Sequence, residues 1–367
     1  QAANAVIANN PTRLGKQLWT EDGEGEPIRV YGAYNEVDEA RFVIDRIRSA
    51  IEHGGRRSEM AILYRTTAQS RLFEESLLQA GIPYRVYGGL RFFERAEIKD
   101  ALAYLRLVSN RHDDPSFERA VNQPPRGIGP RTLDAVRAHG RDFGCSLWQA
   151  AGDLLRGGAM TARAANALRR FRDLIEEIDA NSAGEDLPGR AAFVVEASHL
   201  REHFEKSRDG KGQDRIENLE ELVNACRQFE LPEEEGESGL SEMDAFLAHA
   251  ALEAGDTQAD EYEDCVQLMT LHSAKGLEFP LVFVGGVEEG LFPHSMSAED
   301  PERLEEERRL CYVGMTRAMS QLYLTHAESR RLHGSENFPM PSRFLREIPA
   351  QLIEEVRARP QVSRPYT

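Results

Sequence analysis

The sequence predicts an α/β protein, a parallel sheet with crossover helices that is interrupted by an all-helical insertion. Three observations predict it. Strand and helix signals alternate over residues 27–88. From about residue 96 helical periodicity takes over and strand signals nearly vanish. Strands then return at 266–272, 281–287 and 321–327. Alternation of this kind argues for parallel strands joined by helices. At 367 residues the chain is long for one core, so two domains are expected.

Each element has its own justification. PIRVYGAY (27–34) reads as a strand. NEVDEARFVIDRIRSAIEHGG (35–55) reads as a helix, because Val37, Ala40, Val43, Ile44, Ile47 and Ile51 share one face and glycines close it. MAILYR (60–65) is a buried strand, AQSRLFEESLLQAG (68–81) a helix ending at Gly81, and IPYRVYG (82–88) another strand. Helices follow in EIKDALAYLRLVSN, RTLDAVRAHGRDF, ARAANALRRFRDLIEEIDA and GQDRIENLEELVNACRQF. The acidic piece 230–241, with Pro and Gly, reads as a loop or disordered linker. A helix is expected from about Leu304 to Met319, with Leu310, Val313 and Met319 toward the sheet. The tail after Pro349 is polar and expected to fray.

Composition narrows the class. No run of eighteen apolar residues exists, so no membrane span is expected. QAANAVIANN lacks the regions of a signal peptide. Cys145, Cys226, Cys265 and Cys311 are far apart with no C-x-x-C, which suggests reduced thiols and a cytoplasmic setting. Net charge is −17, but residues 230–264 carry thirteen acids and no Lys or Arg, which explains most of the imbalance. A local basic groove for nucleic acid therefore stays open.

A phosphate loop is missing. Gly15-Lys16 is followed by Gln and Gly210-Lys211 by Gly, so neither fits G-x-x-x-x-G-K-[ST], and no apolar run ends in an Asp-Glu pair for Mg²⁺. This chain is not expected to hydrolyse ATP alone. TLHSAKGLEF (270–279) joins two strands; His272, Ser273 and Lys275 can donate to phosphates or sugars, and Glu278 can accept from a ribose hydroxyl. A solvated connecting loop is the plain alternative. Arg317, in EEERRLCYVGMTRAMSQLYL (305–324), suits an arginine finger or a surface salt bridge helped by Glu305–Glu307.

Taken together, TLHSAKGLEFP, EEGLFPH (288–294) and EERRLCYVGMTRA (306–318), with AILYRTTAQSR (61–71), YGGLRFFERAEIKD (87–100) and RGIGPRTL (126–133), resemble in order the motifs of the UvrD/PcrA/Rep group of superfamily-one DNA helicases. The resemblance covers nearly the whole chain. It implies a RecA-like second motor domain (11–95 and 264–350) without a phosphate loop, and a helical insertion (96–263). Residues 1–10 would be a remnant of the first motor domain, and 351–367 a tail. The Asn-Tyr-Arg-Ser motif of the family, just upstream of that first helix, is not in this sequence. The group's function is ATP-dependent 3′→5′ unwinding in DNA repair, with ATP and Mg²⁺ as cofactors. Its partners would be single-stranded DNA, single-strand/duplex junctions, the first motor domain, and mismatch- and excision-repair proteins.

By the same resemblance, Glu278 binds the ATP ribose, Arg317 reaches the γ-phosphate, and His272 and Lys275 face single-stranded DNA or link it to the nucleotide. Arg65 and Thr67 match positions that touch single-stranded DNA, although relatives carry Asn where Thr67 stands. Phe292 is split between base stacking and core packing, and is assigned to the DNA grip. Arg91 is assigned to a phosphate, with Phe92 and Phe93 packed inside. Arg126, Gly127, Ile128, Gly129 and Arg131 form a tight turn before a helix, suited to duplex phosphates. Arg163, Arg169, Arg170 and Arg172 form a weaker basic face. Two other readings stay open: a non-catalytic DNA- or partner-binding module, and a piece of a RecB/AddA-type helicase–nuclease, for which no nuclease segment is visible.

Overall fold

Strands β1 (Ile28–Ala33), β2 (Met60–Tyr64), β3 (Tyr84–Val86), β4 (Val266–Thr270), β5 (Phe279–Val284), β6 (Ala318–Ala327) and β9 (Ile353–Glu355) make a seven-stranded sheet in the order β3-β4-β2-β5-β6-β1-β9. Every pairing in it is parallel. The computed structural model describes residues 1–12, 19, 25–158, 160–231, 239–255, 263–332 and 335–356. The chain divides into two units, one of residues 1–91 and 257–367, the other of residues 92–256. The sheet belongs to the first.

Alternation within the strands gives this sheet two apolar faces. Ala61, Leu63, Met269, Val282, Val284, Leu322 and Leu324 turn to one core, shared with α1 (Ala2–Ile7), α13 (Pro301–Met315) and α14 (Arg343–Arg346). Ile62, Tyr64, Leu268, Leu281, Phe283 and Tyr323 turn to the other, shared with α2 (Glu36–Glu52) and α3 (Ser70–Gln79). A parallel sheet buried on both faces needs such near-continuous apolar strands. Helix α2 starts where Asn35 accepts from the Asp38 amide at 2.9 Å, and buries Ala40, Val43, Ile44 and Ile47. A short antiparallel hairpin, β7 (Arg330–Leu332) and β8 (Ser335–Asn337), stands apart.

The described residues of the second unit hold helices and no strand: α4 (Ala96–Ser109), α5 (Asp114–Ala120), α6 (Pro130–Phe143), α7 (Leu147–Gly157), α8 (Ala162–Ser182), α9 (Leu187–Ala197), α10 (Leu200–Glu205), α11 (Gly212–Gln228) and α12 (Glu242–Gly255). Its core gathers Ile98, Leu105, Phe171, Val194, Leu219 and Phe246. The buried Tyr104 hydroxyl donates at 2.6 Å to the Gln123 carbonyl.

Several expectations change. The tail after Pro349 does not fray at once: Ile353–Glu355 adds a strand beside Ile28–Val30 and satisfies what would be an open sheet edge. Residues 357–367 lie outside the described residues, as do 232–238 of the acidic linker. The acidic stretch also contains helix α12, which buries Met243, Phe246, Leu247 and Ala250. Helix α13 runs from Pro301 to Met315, because Asp300 caps it and the chain turns into β6 at Ala318. Met319 therefore lies on a strand and is 64 % exposed instead of facing the core. The first helix, α1, packs in this unit, with Ala2 and Val6 buried and the Asn10 side-chain amide donating at 2.9 Å to the Glu305 carbonyl, a placement that leaves its reading as a remnant of another motor domain open.

Candidate functional site

Strand register shows where the Lys-Gly stretch goes. Thr270 pairs with Tyr64 at the carboxyl end of β2, and Met60 at its amino end pairs with Leu281. Residues 271–278 therefore run from the carboxyl edge of the sheet back to its amino edge, roughly 16 Å for five residues at about 3.3 Å each. This segment is wound in turns. The Ala274 amide donates to Thr270 at 3.1 Å and the Leu277 amide to Ala274 at 3.2 Å, and Gly276 takes a left-handed φ of 90°. Leu271 and Ala274 are buried, which leaves His272, Lys275 and Glu278 exposed. Gly314 lets α13 close on this crossover, since a Cβ there would meet Leu271 Cδ2 at 2.5 Å.

At the amino edge, Glu278 and Arg317 come together. Phe279 pairs with Ala318. The Phe279 amide donates to the Arg317 carbonyl at 2.9 Å, while Arg317 Nη1 donates to the Leu277 carbonyl at 2.7 Å. Glu278 thus sits between two residues tied to Arg317. Nε of Arg317 donates to the Val313 carbonyl at 3.1 Å and Nη2 to the Thr316 hydroxyl at 3.0 Å. All three acceptors are uncharged. Among the described residues no carboxylate forms an ion pair with Arg317: Glu305 and Glu306 go to Arg309, and Glu307 goes to Arg65. A guanidinium has five N–H donors, so this one is fixed by three and keeps two for an anion. These two candidate groups lie at the amino ends of β5 and β6, not at the carboxyl edge that the open-sheet rule favours.

At the carboxyl edge the expected DNA grip divides. His272 and Lys275 are exposed and Thr67 half-buried. Arg65 is committed: Nε and Nη2 clamp the carboxylate of buried Glu307 at 2.7–3.0 Å, so its charge is already neutralised and it ties the end of β2 to α13. Phe292 does not face solvent. It is fully buried, edge-on to Phe344 at 5.3 Å, and has no ring face for a base. Arg91 is only 5 % exposed, too covered to meet a phosphate, while Phe92 and Phe93 are buried as expected.

In the helical unit the Gly-Ile-Gly turn forms around Asn122, whose side-chain Oδ1 accepts from the Arg126 and Ile128 amides at 3.3 Å each. Gly127 has φ 75°, and Gly129 is the N-cap of α6 with no side chain capping it. Gly127 and Arg131 are exposed and Ile128 is a core residue at 2 %. Arg126 does not project outward. It donates to the carbonyls of Pro124 at 2.8 Å, Ser198 at 3.1 Å and Ala120 at 3.2 Å, and lies over the rings of Tyr104 and Phe171. On the weaker basic face Arg163, Arg169 and Arg170 are exposed, and Arg172 stacks over Trp148 at 4.6 Å.

The family profile described as the UvrD-like helicase C-terminal domain matches residues 1–329. The chain belongs to that family. Over 366 residues it is 58 % identical to DNA helicase II of Escherichia coli (strain K12), covering 100 % of this chain and 51 % of the relative. It is 52 % identical to DNA helicase II of Haemophilus influenzae over 99 % of the chain and 50 % of the relative, and 44 % identical to the ATP-dependent DNA helicase PcrA of Bacillus subtilis over 97 % and 48 %. The chain spans about half the length of these curated relatives. No described helix is long and apolar enough to cross a membrane.

One group in this UvrD-like domain escaped the sequence reading. Arg330 is buried between Glu39 of α2 and Glu288, just past β5, pairing with both. Glu39 also accepts from the Thr325 hydroxyl at 2.6 Å and the Gly286 amide at 2.8 Å, and Glu288 from the Ala327 amide at 2.7 Å. Burial raises the Glu39 carboxyl, but Arg330, Thr325 and Gly286 together outweigh it and hold it below its ordinary value. For Glu288 burial wins and raises it, with the Glu39 charge adding to the rise. One cation cannot fully neutralise two carboxylates. The triad binds the carboxyl ends of β5 and β6 to α2. No spacing signal marks it, since its members are far apart in the chain.

Proposed function

We propose that this chain is the C-terminal half of an ATP-dependent 3′→5′ DNA helicase that acts in DNA repair. Its sheet unit is a second RecA-like motor domain, and residues 92–256 are the insertion that meets duplex DNA. The observation that carries this reading is the juxtaposition at the amino edge: an exposed Glu278 beside an Arg317 that is anchored through main-chain carbonyls and, among the described residues, forms no ion pair with a carboxylate.

Such a donor set fits a nucleoside triphosphate. Glu278 accepts from the ribose hydroxyls, and the two unused N–H groups of Arg317 meet the oxygens of the terminal phosphate. ATP with Mg²⁺ would supply the phosphoryl group and the free energy. Arg317 would hold negative charge that grows in the transition state, and its anchoring means that little reorganisation is needed at that moment. Because this chain has no phosphate loop of its own, Arg317 would act only when a phosphate loop on another domain closes against it. That makes hydrolysis and domain movement one event. Single-stranded DNA runs past His272, Lys275 and Thr67, with Arg65 contributing only through its remaining N–H groups. In the insertion, Gly127, Gly129 and Arg131 face the duplex, and Arg126 supports the turn from inside.

The test is DNA-stimulated ATPase of this chain alone and mixed with a first motor domain of the same family. No turnover is expected alone, recovery on mixing, and a loss of about 10³-fold or more with Arg317→Ala. Strand-displacement substrates with 3′ or 5′ tails check polarity. Robust turnover by the chain alone would refute the proposal.

A further inference from the structure

We propose that the α6–α7 hairpin of the helical unit binds a zinc ion through His139, Cys145 and Asp153. Their ligand atoms all lie within 4.8 Å of one another, and none of the three residues is fully exposed. His139 sits in the last turns of α6, Cys145 follows the left-handed Gly144 that ends it, and Asp153 lies on α7. The turn between them is tight. The Cys145 amide donates to the Gly140 carbonyl at 3.0 Å, and a Cβ on Gly140 would stand 3.1 Å from the Cys145 carbonyl oxygen. The fold therefore holds the thiol against the helix that carries the imidazole.

Spacing and chemistry agree with the metal. His139 Nε2 and Asp153 Oδ2 are 3.3 Å apart. Two ligands at about 2.0–2.2 Å around a tetrahedral ion are separated by roughly 3.3–3.5 Å. An imidazole, a thiolate and one carboxylate form a nitrogen–sulfur–oxygen set that suits Zn²⁺ and not Mg²⁺ or Ca²⁺. Arg156 occupies the other Asp153 oxygen, Oδ1, and leaves Oδ2 toward the site. Among the four cysteines, Cys145 alone is not buried. Binding would release the thiol proton to solvent, and water would complete the fourth position. A bound ion would clamp the two helices that follow the Gly-Ile-Gly turn.

Titration of the whole chain with Co²⁺, as a spectroscopic stand-in for Zn²⁺, tests this. The expected result is a near-ultraviolet thiolate-to-cobalt absorption that Zn²⁺ abolishes. It should be lost in Cys145→Ser, with metal binding in Asp153→Asn weakened at least about tenfold, both variants keeping the helical circular dichroism of the parent. Zn²⁺ should also slow alkylation of Cys145. Absence of the thiolate band, or its survival in Cys145→Ser, would overturn the proposal. If a variant loses its helical signal, protection of Cys145 in the parent chain decides alone.

Discussion

Two arginines at the ends of strands, Arg65 after β2 and Arg317 before β6, meet opposite fates. Arg65 is neutralised by a carboxylate, whereas Arg317 is held by uncharged acceptors and, among the described residues, forms no ion pair. A third, Arg330, is shared by two acids with opposed shifts, and this has a measurable consequence. Glu39 is depressed, so its contribution to stability is present above the unfolded carboxylate value and lost as pH falls through its folded value. Glu288 is raised, so its contribution is present at low pH and lost as pH rises through its folded value. In urea unfolding, the cost of Glu39→Gln should therefore grow as pH rises toward the ordinary glutamate value of about 4.3 and then level off, while that of Glu288→Gln should shrink as pH rises above that value. Parallel trends would refute the assignment. Arg330→Met, which leaves two buried acids without their cation, should cost about 3–5 kcal/mol.

Elements in this chain are placed by close backbone approaches as much as by apolar faces. Gly212, the first residue of α11, lies where a Cβ would collide with the Phe204 carbonyl of α10. The obstacle is backbone and cannot rotate away. Gly212→Ala should destabilise the helical unit by about 1–3 kcal/mol, read as a lower denaturation midpoint with unchanged slope. Helix α13 has a different weak point. The Asp300 carboxylate accepts from the Glu302 and Arg303 amides at 3.0 and 3.2 Å, and Asp300→Ala should cost about 1 kcal/mol. Gly314 completes the set, because the crossover that brings Glu278 to Arg317 passes against it.

At the scale of the molecule, each unit has its own apolar core: the helical residues gather in one, and the sheet covers both its faces from within residues 1–91 and 257–367. Residues 92–256 expressed alone should therefore fold as a cooperative helical domain, and replacing them with a short Gly-Ser linker should leave the sheet unit folded. Circular dichroism and thermal unfolding of the two products check this; a non-cooperative melt of either would count against it. The net charge of −17 does not oppose a DNA surface. Under the proposed function, affinity of the chain for single-stranded DNA should fall steeply with added salt, with a slope that counts the phosphates neutralised; a flat dependence would count against it.

Periodicity and motif order determined much by themselves: the strands β1 to β6, the long helices α2, α4, α6, α8 and α11, the absence of a phosphate loop, and the family. These are local signals, carried by alternation, caps and contiguous motifs. The short helices α5, α7, α9 and α10 and the strand at Ile353 were not legible, because their patterns are too brief to stand out without the surfaces they cover. Only the tertiary structure decided which candidate side chains are available. Phe292 went to the core, Arg126 to three carbonyls and Arg65 to Glu307, while Glu278 and Arg317 met at one edge. Availability depends on what lies opposite a side chain, and the deciding atoms include ones from residues tens or hundreds of positions away, Phe344 for Phe292, Ser198 for Arg126, Glu307 for Arg65 and Leu277 for Arg317.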